Sequence, residues 1–184
     1  ATDQATDTPT NNFATYNPLV HASTAAFFSE GNCKVGPQDN TSRVYTVSTH
    51  AMPKKAGSKW YAEFQNSQND DVSLFGILDA AQISNVFHNN SDLDNQNGDV
   101  TIGRCTYRGS NGKIHYPDGG EIDDGTTLSD NDIVMVALDA GAGKAYFGVN
   151  GTWLNSADPA NATNPTDFSG ESWVAGVDEY VFIV

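Results

Sequence analysis

From Arg43 onward, apolar and polar residues alternate in short runs. RVYTVS, KWYAEF and DVSLFGIL are each rich in β-branched or aromatic residues and each is bounded by Asn, Gly, Ser or Asp, the signature of strands closed by turns. In KWYAEF the alternation sends Trp60, Ala62 and Phe64 to one face and Tyr61 and Glu63 to the other, so one face is core and the other partly wet. DVTIGRCTY, NGKIHY, DIVMVALD, GKAYFGVN and SWVAGV continue the series, separated by turns such as GSNG, PDGG and AGAG. DIVMVALD is apolar on both faces, Val134, Val136 and Leu138 alternating with Ile133, Met135 and Ala137, which places it in the middle of a sheet covered above and below. In GKAYFGVN, Ala145, Phe147 and Val149 share the inward face; Asn150-Gly151 supplies the positive φ angles of a two-residue hairpin, and Trp153 returns alongside. No window longer than about ten residues repeats at helical spacing, so the pattern predicts an all-β sandwich or barrel.

Three stretches break the rhythm. Residues 1–42 are rich in Thr, Asn, Asp and Ala and carry Pro9, Pro18 and Pro37, which predicts an extended N-terminal arm ahead of a sandwich spanning 43–184. Within the arm, STAAFFSE (Ser23 to Glu30) is the apolar knot that would pack under the domain and pin the arm down. Residues 79–99 and 155–169 are long and polar with little strand signal, and loops of that length in compact domains are commonly functional or mobile.

Charge narrows the partners. The 23 acidic residues face 9 basic ones, and the net charge of -14 repels phosphate backbones and anionic headgroups, making nucleic acid and membrane surfaces poor partners. That charge reads as solubility and resistance to self-association, with a salty habitat as the other reading. No apolar run approaches the roughly 20 residues of a membrane helix, and the N-terminus lacks the charged-then-apolar pattern of a secretory signal, so no membrane insertion is expected. The start at Ala1 and the strand-like end VFIV read as a fragment or a processed product. Cys33 and Cys105 are too few for a disulfide scaffold and lack paired metal-ligand spacing, so they read as two unrelated, half-buried thiols.

Catalytic signals are thin. EIDDGT places Glu121 and Asp123 where one strand face would hold both, close to the Glu-x-Asp-x-Glu or Glu-x-Asp-x-x-Glu run of laminarinase-like glycosidases. Retaining hydrolysis needs two carboxyl groups about 5 Å apart, a nucleophile and an acid. Gly125 and Thr126 stand at the two places for the second glutamate, so EIDDGT reads as an acidic turn leading into Leu128. His21, His50, His88 and His115 are scattered, without an HExxH pair, a Gly-x-Ser-x-Gly elbow or a Gly-rich phosphate loop nearby. Asp92, Asp94 and Asp99 offer calcium-type oxygens in NNSDLDNQNGD, but the loop departs from the EF-hand pattern and has no closing glutamate, so it reads as solvated. No catalytic residue, metal ligand or cofactor is assigned.

SKWYAEF, then YRGSNGKIHY, then NDIVMVALDAGAGKAYFGVNGTW resemble, in order and spacing, the tryptophan-tyrosine strand, the Tyr-Gly-Tyr segment and the aspartate-flanked hairpin of a SPRY domain. ATDTPTNNFATYNPL followed by SEGNCKV resembles the leader ahead of the SPRY domain in phage virion and tail-fibre-like proteins. The resemblance implies two antiparallel sheets in a bent, concanavalin-like sandwich whose rim loops hold partners without catalysis. It further implies a virion component on the surface of a phage particle, at its tail or capsid: either a tail-fibre adhesin touching the host or a decoration or joining protein.

For a recognition module, contacts come from aromatic and amide side chains on turns beside the long loops, which pair a stacking face with adaptable hydrogen bonding. Tyr107, Arg108, Asn111, His115, Tyr116 and Trp153 are the candidates. Trp153 has core packing beneath its hairpin as its other reading, and Tyr107 and Tyr116 have a cross-strand pair flanking the SNGK turn as theirs. Host-surface glycans, or a host protein, are the expected ligands, neutral or basic sugars best tolerating the acidic surface. In the structural alternative the arm orders along a neighbouring virion subunit.

Overall fold

The structure, a computed structural model, describes residues 14–21, 26–38, 44–67, 73–88, 103–116 and 120–184. Before the first long sheet strand come β1 (Tyr16–His21), β2 (Ala26–Ser29) and β3 (Lys34–Pro37). β4 (Thr46–Pro53), β5 (Lys59–Asn66) and β6 (Leu74–Asp79) follow, then the short helix α1 (Ile83–His88). Next are β7 (Arg104–Arg108), β8 (Lys113–Tyr116), β9 (Gly120–Asp123), β10 (Asp132–Asp139) and β11 (Lys144–Val149). The chain closes with β12 (Thr152–Trp153), β13 (Thr166–Asp167) and β14 (Glu179–Ile183).

Pairing is antiparallel throughout. One seven-stranded sheet runs β1-β4-β14-β6-β7-β8-β9; the other runs β12-β11-β10-β5, with β13 also on β11, and β2 and β3 form a separate hairpin. β10 lies between β5 and β11, the central place its two apolar faces predict. The β11–β12 turn is the two-residue hairpin encoded by Asn150-Gly151, at φ 49° and 84°. Asn150 also locks this turn to β10: its Oδ1 accepts from Ile133 N at 2.9 Å and its Nδ2 donates to Asp132 Oδ1 at 2.7 Å.

Strand alternation builds two cores. Between the sheets, Val134, Val136, Leu138 and Phe147 meet Ile77, Tyr107 and Phe182, and Phe64 packs on both Phe75 and Phe182 with ring centroids 5.9 Å apart. On the other side of the seven-stranded sheet, Val47, Leu74, Leu78, Val181 and Ile183 form a second cluster. Val86 completes that cluster from α1, with Ile83 and Phe87 packed beside it, an i, i+3, i+4 stripe that gives the six-residue helix one apolar side. Asp79 starts the turn before the helix by accepting from Ala81 N at 3.0 Å. No helix among the described residues is long and apolar enough to cross a membrane.

Four departures from the sequence pattern stand out. The described residues before 43 form strands: β1 pairs with β4 as an edge of the large sheet, and β2 and β3 pair with each other. Pro18 is tolerated in β1 because an edge strand needs ladder bonds on one side only, and Thr46 Oγ1 secures the strand by donating to Asn17 O and Val20 O. SWVAGV is a 3-10 turn over Ser172–Gly176 rather than a strand, with Val174 and Val177, one turn apart, both in the core. The polar segment after Asp79 contains α1, and its Asp92, Asp94 and Asp99 lie outside the described residues. The polar stretch 155–169 contains β13 and an Asp158–Thr163 bridge.

Candidate functional site

The β7–β8 hairpin carries five of the six predicted contact residues, and the pleat divides them. Register sets Thr106 opposite His115, Tyr107 opposite Ile114 and Arg108 opposite Lys113. Tyr107 and Ile114 belong to the inter-sheet core, so Thr106, Arg108, Lys113 and His115 stand on the outer face. Across the next pair, His115 opposes Glu121 and Lys113 opposes Asp123 on β9. The outer face of the hairpin is therefore polar where the same sheet beneath α1 is apolar.

Tyr107 is corrected from contact residue to core residue. Its ring is wholly buried at a centroid distance of 6.3 Å from Phe147, and its hydroxyl donates to Thr126 O at 2.5 Å. Burial also pushes its phenol pKa up, with Asp124 and Asp132 acting in the same direction. Tyr116 packs against the same core and does not pair with Tyr107, whose cross-strand partner is Ile114. A side chain at Gly120, the partner of Tyr116 on β9, would run into the Tyr116 ring; the glycine makes room for the ring.

Arg108, Asn111 and His115 are each part-exposed, Arg108 and Asn111 at the turn of the hairpin and His115 further along β8, opposite Thr106. Arg108 Nε donates to Ser110 Oγ at 3.0 Å, and Asn111 Oδ1 accepts from Lys113 N at 3.1 Å, so the turn side chains are held in place before any ligand arrives. Lys113 Nζ bonds Glu121 Oε1 at 2.7 Å. Trp153 lies elsewhere, on the outer face of the second sheet opposite Gly148, and packs edge-on against Tyr61 at 6.3 Å and 66°. Its core-packing reading fails for the same reason, and Tyr61, 52% exposed, is the surface aromatic that the choice of turn residues overlooked. The alternation of KWYAEF was the signal for it.

His115 senses this arrangement. Burial holds its imidazole below the ordinary value, Arg104, Arg108 and Lys113 push the same way, and Glu121 opposes them. The native state thus binds the proton less readily than the unfolded chain, so this contribution to stability is complete above the unfolded value near 6.5 and drains as pH falls through the lower folded value. Between about pH 7 and about pH 5 the wild-type melting temperature is expected to fall further than that of His115→Asn. Equal falls in thermal melts of the two proteins would contradict the assignment.

No protein-family model and no curated protein matches the chain. Among solved structures, the SPRY domain of human HERC1 is similar, with a TM-score of 0.55 and 14% sequence identity over 91% of this chain and 87% of that one. The fold is that of a SPRY domain. This agrees with the two-sheet, concanavalin-like sandwich expected from the motif order. On the SPRY fold, EIDDGT falls on edge strand β9 and the turn after it, with Glu121 and Asp123 both on the exposed face. The hydrogen bond from Lys113 holds Glu121 below its usual carboxylate range, the reverse of the raised value a general acid requires. Asp124 is occupied in accepting from Asn155 N at 2.5 Å.

Proposed function

We propose that this chain is a non-catalytic SPRY-type recognition module of a phage particle, and that it contacts a glycan on the host surface. The observation that carries this reading is the part-exposed group Arg108, Asn111 and His115, fixed on one hairpin of the SPRY fold. Such a group offers charged, amide and imidazole hydrogen bonding from a rigid support, the combination that polar ligands need. The leader's resemblance to phage virion proteins supports placing the module on a particle, and the ionised Glu121 supports binding over hydrolysis.

The test uses the full chain on host cells and on a glycan array. The Asn111→Ala, His115→Ala double variant is expected to attach about ten-fold more weakly while melting as the wild type does. Full attachment by the folded variant would sink the site.

A structural role, as a capsid decoration or joining protein, has its own support in the N-terminal strands. Leu19 on β1 is 90% exposed and Phe27 on β2 is 53% exposed, apolar surface suited to a neighbouring subunit. Immunogold labelling of intact particles separates the two readings: label at fibre or tail tips fits the adhesin, and label spread over the capsid replaces it with the structural role.

A further inference from the structure

The outer face of the smaller sandwich sheet presents an aromatic corner. Alternation turns Lys59, Tyr61, Glu63 and Gln65 of β5 outward, and all four are exposed. Register sets Glu63, Met135, Gly148 and Trp153 in one row across β5, β10, β11 and β12. A Cβ on Gly148 would overlap Met135 Cε and lie 3.1 Å from Trp153 Cε3, so the missing side chain lets the indole settle beside the thioether. There the indole meets Tyr61 at a centroid distance of 6.3 Å and an interplanar angle of 66°. Two steeply inclined rings on a sheet leave a corner between them, and Tyr61, 52% exposed, opens it to solvent.

A carboxylate completes the corner. The Tyr61 hydroxyl donates to Glu63 Oε1 at 2.5 Å, and among the described residues Glu63 has no cation beside it. The two lysines of this face are taken: Lys59 Nζ lies 3.8 Å from Asp139 Oδ2, and Lys144 Nζ lies 3.9 Å from Asp167 Oδ2. In the cleft that Glu63 also lines, Glu30 and Lys34 supply one charge of each sign. Ring faces and a carboxylate acceptor are complemented by a cation. A guanidinium suits them best, because it stacks on a ring and donates to a carboxylate from one rigid plane. A quaternary ammonium has no proton to donate, and an uncharged sugar leaves the charge of Glu63 unanswered.

We propose that this face docks a protein partner through an arginine side chain, its guanidinium seated in the Tyr61–Trp153 corner and bonded to Glu63. The net charge of -14 draws a basic partner toward the surface, and arginine is enriched at protein interfaces. Because β7 and β8 belong to the other sheet, this face works independently of the hairpin site and of any glycan held there.

The experiment follows the indole N–H resonances of the full chain, labelled with 15N-tryptophan, with Trp153→Phe identifying the Trp153 signal. The probes are a capped pentapeptide of glycine and threonine around a central arginine, its citrulline counterpart, choline and methyl glucoside. The arginine peptide is expected to move the Trp153 signal saturably. The citrulline peptide, of nearly the same shape but without the charge, is expected to leave it still. Tyr61→Leu and Glu63→Gln change exposed side chains, so each is expected to melt as the wild type does and to bind the arginine peptide at least about five-fold more weakly. Equal response to arginine and citrulline, or response to neither, overturns the cation. A Trp153 signal that choline moves as far as the arginine peptide does gives the corner to a methylated ammonium and overturns the guanidinium; the same result with methyl glucoside gives it to a sugar. Undiminished binding by the folded Tyr61→Leu and Glu63→Gln proteins overturns the site.

Discussion

Replacing Tyr107 by alanine is expected to cost about 3–5 kcal/mol of folding stability, enough to unfold much of the population, rather than to weaken binding in a folded domain. The ring is wholly buried between the sheets and touches Phe147, so truncation leaves a cavity bounded by strands that cannot close over it. It also removes the hydroxyl that donates to Thr126 O, which helps hold the segment between β9 and β10 against the core. Tyr107→Phe keeps the ring and gives up only that bond, for an expected loss of about 1 kcal/mol. Urea denaturation of the two variants checks the pair. A Tyr107→Ala protein as stable as wild type would mean that the ring is not core, and would restore it as a contact residue.

Gly76→Ala is expected to destabilise by about 3 kcal/mol or more, although it adds a single methyl group. Gly76 sits on β6, which has β14 on one side and β7 on the other. A methyl there would overlap the Cys105 carbonyl oxygen and lie 2.8 Å from Thr106 Cα. Both obstacles are backbone, so no rotamer change relieves them. Relief requires moving β7 away from β6, along a ladder that runs from Leu74 opposite Arg108 to Leu78 opposite Arg104. Calorimetry measures the effect; an unchanged melting temperature would show that the two strands are looser than their spacing indicates.

Much of this fold can be read from local pattern. Period-two alternation is a property of the chain itself, which is why the inward faces of KWYAEF and GKAYFGVN and the central position of DIVMVALD are visible in the sequence. The same rule bears on the candidate site. Tyr107 and Arg108 are neighbours, as are His115 and Tyr116, so members of either pair cannot share a face of one sheet. Alternation thus divides the candidates but does not say which half is buried. SWVAGV misleads because Val174 and Val177 suit a 3-10 turn, and a five-residue apolar run is too short for periodicity to separate turn from strand.

Tertiary structure decided the rest. The outer side of the seven-stranded sheet is split between an apolar part under α1 and a polar part on β7–β9, and nothing local to β7 records where α1 lands. Trp153 meets Tyr61 only because β5, β10, β11 and β12 stack in that order. Thr106 and Arg104 gain their surroundings from pairing with β8 and β6, and β1 became a strand because β4 offered it an edge. Hydrophobic periodicity is set by covalent geometry and is written residue by residue; register, layer order and the company of a buried polar atom arise from contacts between distant segments, whose energies no single segment contains.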